Sequence, residues 1–180
     1  HAAFQVVSVV TTTGFATTDF DLWPNFSKML LLFLMFTGAC AGSTAGGLKV
    51  GRVLLLFKNL RRNIRRLLNP RRVETVRVNG VRTAEEVLRN TNTYLVAYAL
   101  IMVISILLVS VDELSISTDI SAVVSCFNNI GPGLDMVGPT ANYSVFSDFS
   151  KLVLIFDMLA GRLEIFPILI LFSRSTWRRK

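Results

Sequence analysis

Three long apolar runs constrain this chain more than any other feature of its sequence. They cover residues 29–57, 94–111 and 152–172, and a helix needs about 20 mainly apolar residues to cross a bilayer. One such run could form the core of a soluble helical domain, but three within 180 residues favour a membrane protein. The composition agrees, because 52% hydrophobic residues exclude a disordered tail and two cysteines are too few for a disulfide scaffold.

The basic residues are concentrated in two segments, and this concentration predicts the orientation. Of the 19 Lys and Arg residues, 12 lie within 49–89 and four within 174–180. Cytoplasmic segments of membrane proteins carry an excess of Lys and Arg, so both segments should face the cytoplasm. A nucleic-acid-binding patch would also be basic, but this one lacks interleaved aromatic residues and no nucleic-acid partner is expected.

The basic segment between the apolar runs carries local signals of its own. Asn79-Gly80 lies between the valine-rich residues 73–78 and Val81, which predicts a β-hairpin. The following residues 83–86 (TAEE) resemble a capped helix start. At the other end of the sequence, His1 leads directly into an apolar stretch, which predicts that the chain is a piece of a longer polypeptide.

Two further apolar segments, 2–10 and 120–127, are too short to cross a membrane as helices. Polar, glycine-containing residues follow each of them: TTTG at 11–14, called here the first turn, and NNIG at 128–131, the second turn. Each segment could be a re-entrant helix that enters and leaves on the same side. The alternative is a pair of surface helices followed by ordinary turns. Non-helical backbone at membrane depth is tolerated only where protein or a water-filled cavity surrounds it.

An internal repeat favours the re-entrant interpretation. Residues 26–38 (FSKMLLLFLMFTG) match residues 149–161 (FSKLVLIFDMLAG) at seven of 13 positions, with an offset of 123. Gly14 and Gly131 are related by an offset of 117. Each copy therefore contains a short helix, a glycine turn, an outer loop and a membrane helix, and repeated units commonly build transport pathways.

The two turns suit a cation chemically. A short helix entering from outside directs its partially negative C-terminal end toward the membrane interior. Extended residues beyond that end can present main-chain oxygens to a dehydrated ion, and Gly14 and Gly131 permit the required backbone angles. The sequence offers no recognisable catalytic or phosphate-binding motif, so the chain is not expected to be an enzyme.

With these residues in view, the chain closely resembles the TrkH/KtrB family of potassium transport proteins. The matching motifs are TTTGF at 11–15, TGACAGSTAGGLK at 37–49, NNIGPGL at 128–134 and AGRLEIFPILILF at 160–172. The resemblance implies an all-α membrane fold in which residues 1–57 and 91–173 are the last two of four helix–pore loop–helix repeats. The first of these two lacks its leading helix. The segments 58–90 and 174–180 are then a cytoplasmic loop and tail.

The resemblance also implies a function and partners. The expected function is potassium uptake across the bacterial inner membrane through a channel-like pore, with potassium as the transported ion and no organic cofactor. A homodimer and a cytosolic nucleotide-binding subunit of the TrkA/KtrA type are implied as partners, and the basic loop 58–90 is a plausible contact for that subunit. The alternatives are an alternating-access cation symporter with re-entrant loops and a purely structural membrane anchor.

Potassium contacts follow from the resemblance residue by residue. They are Thr12, Thr13 and Gly14 in the third filter segment and Asn129, Ile130 and Gly131 in the fourth. Filter contacts of this kind are mainly main-chain oxygens, so the apolar side chain of Ile130 does not count against it. The fourth segment departs from a threonine-rich pattern, which implies an asymmetric pore.

Arg162 is a charged residue inside the third apolar run. A guanidinium near mid-membrane costs at least about 2.5–3.5 kcal/mol unless it is partnered or hydrated. In the family, the matching Arg projects into the pore below the filter and opposes cation passage. The alternative is a structural Arg neutralised by Asp157 or Glu164.

The stretch 38–47, called here the glycine segment, contains no large side chain. Its glycines are Gly38, Gly42, Gly46 and Gly47. A small-residue packing face would explain their spacing. A stretch so poor in helix formers could instead unwind, and in the resembling proteins it forms an intramembrane gate. The hypothesis is that the glycine segment moves to open the path and that Arg162 helps to hold it closed.

Overall fold

The computed structural model describes residues 1–38, 43, 46–69, 75–78 and 80–163. Within these residues the chain is mainly helical. The α-helices are α1 (Ala2–Val10), α2 (Asn25–Phe36), α3 (Val50–Leu68), α4 (Glu85–Val109), α5 (Ile116–Phe127) and α6 (Asp148–Arg162). Two short strand pairs are present: β1 (Thr37–Gly38) with β2 (Leu48–Lys49) in parallel, and β3 (Arg77–Val78) with β4 (Val81–Arg82) antiparallel.

The three apolar runs have different structures. In the described residues, one helix is long and apolar enough to cross a membrane, and it covers Glu85–Asp112. The run 29–57 does not form one helix, because α2 ends at Phe36 and α3 begins only at Val50. The third run begins within α6, and its residues from 164 onward lie outside the described residues.

The interruption of the first run has a local cause. The hydroxyl of Thr37 donates to the carbonyl of Leu34 at 2.9 Å, and the Thr37 backbone is extended rather than helical. A Cβ atom on the next residue, Gly38, would lie 2.3 Å from the carbonyl oxygen of Gly46. The β1–β2 pair therefore depends on a glycine at position 38, and the described ends of the glycine segment are not helical.

The hairpin expected at Asn79-Gly80 is present as β3 and β4, with Val78 paired to Val81 and Gly80 at φ +81°. Asn79 itself lies outside the described residues. The expectation of a cap at Thr83 is off by one residue, because Ala84 precedes α4 and makes no side-chain cap bond. An ion pair holds this region against α3, since Arg62 Nη1 lies 2.5 Å from Glu85 Oε1.

The most buried helix is α5, which packs against α2, α4 and α6. All of its residues from Ser121 to Phe127 are buried. It begins four residues earlier than residue 120, where the sequence placed it, because the Ser115 hydroxyl accepts from the amide of Thr118 at 3.2 Å and caps the helix. By contrast, α2, α4 and α6 expose many large apolar side chains, such as Phe33 at 66%.

The two loops that follow the turns are joined by hydrogen bonds. The carboxylate of Asp21 accepts from the main-chain amide of Asp135 at 2.9 Å. The hydroxyl of Thr140 donates to Asp19 at 3.4 Å. Both bonds link residues more than 110 positions apart, so they hold the two sequence copies together. Lys28 Nζ supports the first loop by donating to the carbonyl of Asp21 at 3.1 Å.

Candidate ion-binding site at two helix ends

The first turn closes the C-terminal end of α1 with a Schellman motif. Thr12 has the left-handed φ of +55°. Its amide donates to the carbonyl of Val9 at 3.1 Å, and the amide of Thr13 donates to Ser8 at 2.9 Å. This pair of bonds satisfies carbonyls that the helix would otherwise leave unpaired and turns the chain sharply away from the helix axis.

The second turn repeats this arrangement at the end of α5. Asn129 has φ +56°, its amide donates to Cys126 at 3.0 Å, and the amide of Ile130 donates to Ser125 at 2.9 Å. Every donor and acceptor of the first motif recurs here with the offset of 117 found in the sequence. The two helices therefore end in the same local geometry despite different residues in the turns.

A glycine with positive φ comes two residues after each left-handed residue. Gly14 has φ +78° and Gly131 has φ +111°, a region that residues with a side chain rarely adopt. The amide of Gly131 donates to the hydroxyl of Ser125 at 3.1 Å, which ties the second turn back to α5. The sequence analysis predicted that both positions need backbone angles that favour glycine, and both glycines have such angles.

The two turns lie directly against each other. A Cβ atom on Gly14 would lie 2.1 Å from the carbonyl oxygen of Ile130, so only the missing side chain permits this approach. The side chain of Ile130 is 4% exposed and belongs to the core. Only the main chain of Ile130 is therefore available for a ligand, whereas Thr13 is exposed and its hydroxyl pairs with that of Thr11 at 2.8 Å.

The described part of the glycine segment contacts the second turn. A Cβ atom on Gly46 would lie 2.5 Å from the carbonyl oxygen of Asn128, and one on Gly47 would lie 2.7 Å from its Oδ1. Gly47 also has φ +78°. Gly38 packs within the segment itself, and Gly42 lies outside the described residues.

Arg162 is the last residue of α6, and its side chain is exposed. The alternative pairing with Asp157 is wrong, because Asp157 Oδ1 accepts from the hydroxyl of Ser105 at 2.6 Å and Oδ2 has no hydrogen-bond partner in the described part of the chain. Glu164, the other candidate partner, lies outside the described residues. One residue before Arg162, the backbone of Gly161 packs against the carbonyl of Phe127.

The sequence predicted Asn128 as part of the second turn, but it did not predict two tyrosines beside that turn or the side-chain contact of Asn128. The hydroxyl of Tyr98 donates to Asn128 Oδ1 at 2.9 Å, and the hydroxyl of Tyr143 donates to the carbonyl of Gly131 at 2.7 Å. Asn128 itself is fully buried. The sequence offers one signal for the contact of Tyr98: a tyrosine within an apolar helix indicates a polar partner nearby, because a buried phenol hydroxyl needs a hydrogen bond.

Comparisons with known proteins identify the class. The pattern of the TrkH family, described as a cation transport protein, matches residues 1–179. The Trk system potassium uptake protein TrkH of Escherichia coli K12 is 41% identical over 178 residues, which are 99% of this chain and 36% of that protein. The protein of the same name from Vibrio parahaemolyticus is 46% identical over 181 residues, again 99% of this chain and 36% of that protein.

A solved structure agrees with these matches. The crystal structure of the potassium transporter TrkH from Vibrio parahaemolyticus superposes with a TM-score of 0.88 at 44% identity, covering 97% of this chain and 37% of that one. The class is thus the one described as cation transport proteins, and the named relatives are potassium uptake proteins and a potassium transporter. Within it, the chain belongs to the TrkH family, as the sequence motifs predicted, and spans little more than a third of its relatives' length.

Proposed function

We propose that this chain forms part of a channel-like protein for potassium uptake and supplies two of the four loops around its ion pathway. One observation carries the proposal. Two helices 117 residues apart end in the same Schellman motif, and the turns that follow meet where Gly14 packs on the Ile130 carbonyl. Repeated helix ends that converge on one point are what a shared ion pathway requires. The names of the TrkH relatives supply potassium as the ion.

The chemistry of the turns suits a monovalent cation. Helix C-termini carry partial negative charge, and main-chain oxygens can replace water around the ion. The proposed contacts are Thr12, Thr13 and Gly14 with Asn129, Ile130 and Gly131. The carbonyl of Gly131 already accepts one hydrogen bond from Tyr143, so it offers an ion less electron density than a free carbonyl would. The two turns therefore contribute unequally.

The glycine segment and Arg162 are proposed as the gate below the turns. The main chain of Gly46 and Gly47 lies against the second turn, so a displacement of the segment changes what surrounds that turn. Arg162 follows directly after Gly161, whose backbone packs against the end of α5. A fixed positive charge here would oppose cation passage while the segment is closed.

The proposed setting is the bacterial inner membrane, with the basic segments 58–90 and 174–180 on the cytoplasmic side. Segment 58–90 includes most of the excess positive charge, which supports this orientation. The proposed partners are a second copy of the protein, in a homodimer, and a cytosolic nucleotide-binding subunit of the TrkA/KtrA type. The basic surface formed by α3 and the hairpin, with Lys58 donating to the Arg77 carbonyl at 2.7 Å, is the proposed contact for that subunit.

Growth on limiting potassium tests this function in the full-length protein. The gene that contains this segment is expressed in a bacterium lacking potassium uptake, and Gly131→Ala is compared with Gly80→Ala. Both glycines have positive φ, and neither has a described neighbouring atom within 4 Å of its Cβ position, so both substitutions strain the backbone without a clash among the described residues. Only Gly131→Ala should abolish growth and rubidium uptake at normal membrane abundance.

Two results would contradict the proposal. Normal growth and rubidium uptake with Gly131→Ala, at normal abundance, would show that the second turn does not line the pathway. Slow, saturating exchange without single-channel currents in the wild-type protein would favour the alternating-access carrier over a channel-like pore.

A further inference from the structure

Asn128 lies where three parts of the described chain meet. Its side chain is fully buried. The Nδ2 group donates to the carbonyl of Val124 within α5 at 2.9 Å, and Oδ1 accepts from the hydroxyl of Tyr98 on α4 at 2.9 Å. The main chain of Gly46 and Gly47 closes the remaining side, since a Cβ atom on either would overlap Asn128.

Tyr98 is held rigidly enough to fix Asn128. It is 3% exposed, and its ring meets that of Phe127 edge-on, with centroids 4.9 Å apart. Its ring also stacks on Tyr94 at 6.4 Å. Removing the hydroxyl would leave the ring packing in place but would leave a buried amide oxygen without this partner, which is costly in an apolar interior.

The neighbouring residue is anchored from the opposite side. Asn129 Nδ2 donates to the carbonyl of Met158 on α6 at 3.1 Å. Hydrogen bonds thus connect the second turn to two helices. Asn128 binds Tyr98 on α4, and Asn129 binds Met158 on α6. A change in either anchor shifts the carbonyls that follow, because Asn128 immediately precedes the left-handed residue at which the chain turns.

We infer that Asn128 is a positioning residue for the second turn, and that Tyr98 fixes it so that the turn prefers potassium over sodium. This inference rests on the proposed function, because it requires the second turn to contact the ion. Selectivity depends on where the coordinating dipoles lie and how freely they move. A turn released from Tyr98 can contract around a smaller ion, so its preference for potassium should fall.

The experiment measures cation preference in the full-length protein. Wild type, Tyr98→Phe and Thr93→Val are reconstituted in vesicles, and uptake of potassium and sodium is measured for each. Thr93→Val removes an exposed hydroxyl from the same helix, where it donates to the carbonyl of Arg89 at 3.1 Å. Tyr98→Phe should lower the potassium-to-sodium ratio roughly five-fold, equivalent to about 1 kcal/mol, while Thr93→Val retains the wild-type ratio.

A double-mutant cycle tests whether Tyr98 acts through Asn128. Asn128→Leu keeps the approximate size of the side chain but removes both the Oδ1 atom that accepts from Tyr98 and the amide that donates to Val124. If the two residues act as a unit, Tyr98→Phe in the Asn128→Leu background should change the ratio far less than it does in wild type. Additive effects would contradict the action of Tyr98 through Asn128.

The remaining outcomes separate this inference from the proposed function. An unchanged ratio in Tyr98→Phe, with normal potassium uptake, overturns the positioning role and leaves potassium uptake intact. Equal losses in Tyr98→Phe and Thr93→Val overturn it too, because they would reflect a general effect on α4. A wild-type protein that takes up no potassium contradicts the proposed function itself, and the inference fails with it.

Discussion

Alanine at position 161 tests how closely α6 packs on α5. A Cβ atom on Gly161 would lie 1.7 Å from the carbonyl oxygen of Phe127 and 2.8 Å from its carbonyl carbon. Real Cβ atoms essentially never approach another heavy atom within 3.0 Å, so the two helices would have to separate. The obstacle is main chain rather than the end of a flexible side chain, and no rotamer change can relieve it.

The expected magnitude follows from two opposing effects. Forced repacking of this kind costs about 3 kcal/mol, the upper part of the usual range, because the neighbour is backbone. Alanine returns about 1 kcal/mol through its higher helix propensity. Gly161→Ala should therefore destabilise the protein by about 2 kcal/mol. Gly51→Ala, in α3, should stabilise it by up to about 1 kcal/mol, since no described atom lies within 4 Å of its Cβ position.

Thermal unfolding of the full-length protein in detergent measures the difference. Gly51→Ala is the matched control, with the same substitution within a helix. We expect Gly161→Ala to unfold at a lower temperature than wild type and Gly51→Ala at the same or a higher one. If Gly161→Ala unfolds at or above the temperature of Gly51→Ala, the close approach of α6 to the end of α5 is wrong.

Two further predictions concern charged groups outside the turns. Glu85→Gln should lower the unfolding temperature more than Glu86→Gln, because it leaves the Arg62 side chain, which is 8% exposed, without its carboxylate partner. Equal unfolding temperatures of the two variants would contradict this. The hydroxyl of Ser115, with two others nearby, lowers the pKa of Asp135. The ionised Asp135 carboxylate therefore contributes its full stabilisation of the folded state at neutral pH. This contribution is lost as the pH falls below the ordinary Asp pKa of about 4 and through the lowered pKa of Asp135 in the folded protein. Asp135→Asn should therefore reduce the fall in unfolding temperature between neutral pH and acid pH. The same fall in the variant and in wild type would show that Asp135 does not make this contribution.

Local sequence signals predicted the parts of the fold that local bonds determine. The short segment 2–10 is α1 with the same bounds, and the hairpin at Gly80 forms where its turn residues indicated. Gly14 and Gly131 have the positive φ angles that their predicted role requires. In each case the deciding interactions lie within a few residues of each other, so a pattern in the sequence is sufficient to specify them.

Contacts between distant residues were not predictable in the same way. The bond from Tyr98 to Asn128 joins positions 30 apart on different elements, and it depends on the rotation of α4 about its axis. The composition of the glycine segment allows either unwinding or a small-residue packing face, but nothing in it indicates that Gly46 and Gly47 contact Asn128. The earlier start of α5 was missed because three polar residues, 117–119, separate Ser115 and Ile116 from the apolar segment 120–127.

The two turns show one backbone motif in two different surroundings. Both are built from the same hydrogen bonds, so residues within each turn are sufficient to form the motif. The surroundings differ, because α1 buries only Gln5, Ser8 and Val9, whereas α5 is buried over most of its length. The second turn is therefore constrained by tertiary contacts that the first does not share within the described residues. If the turns line the ion pathway as proposed, substitutions in the anchors of the second turn should alter ion preference, while the first turn should respond mainly to changes in its own residues.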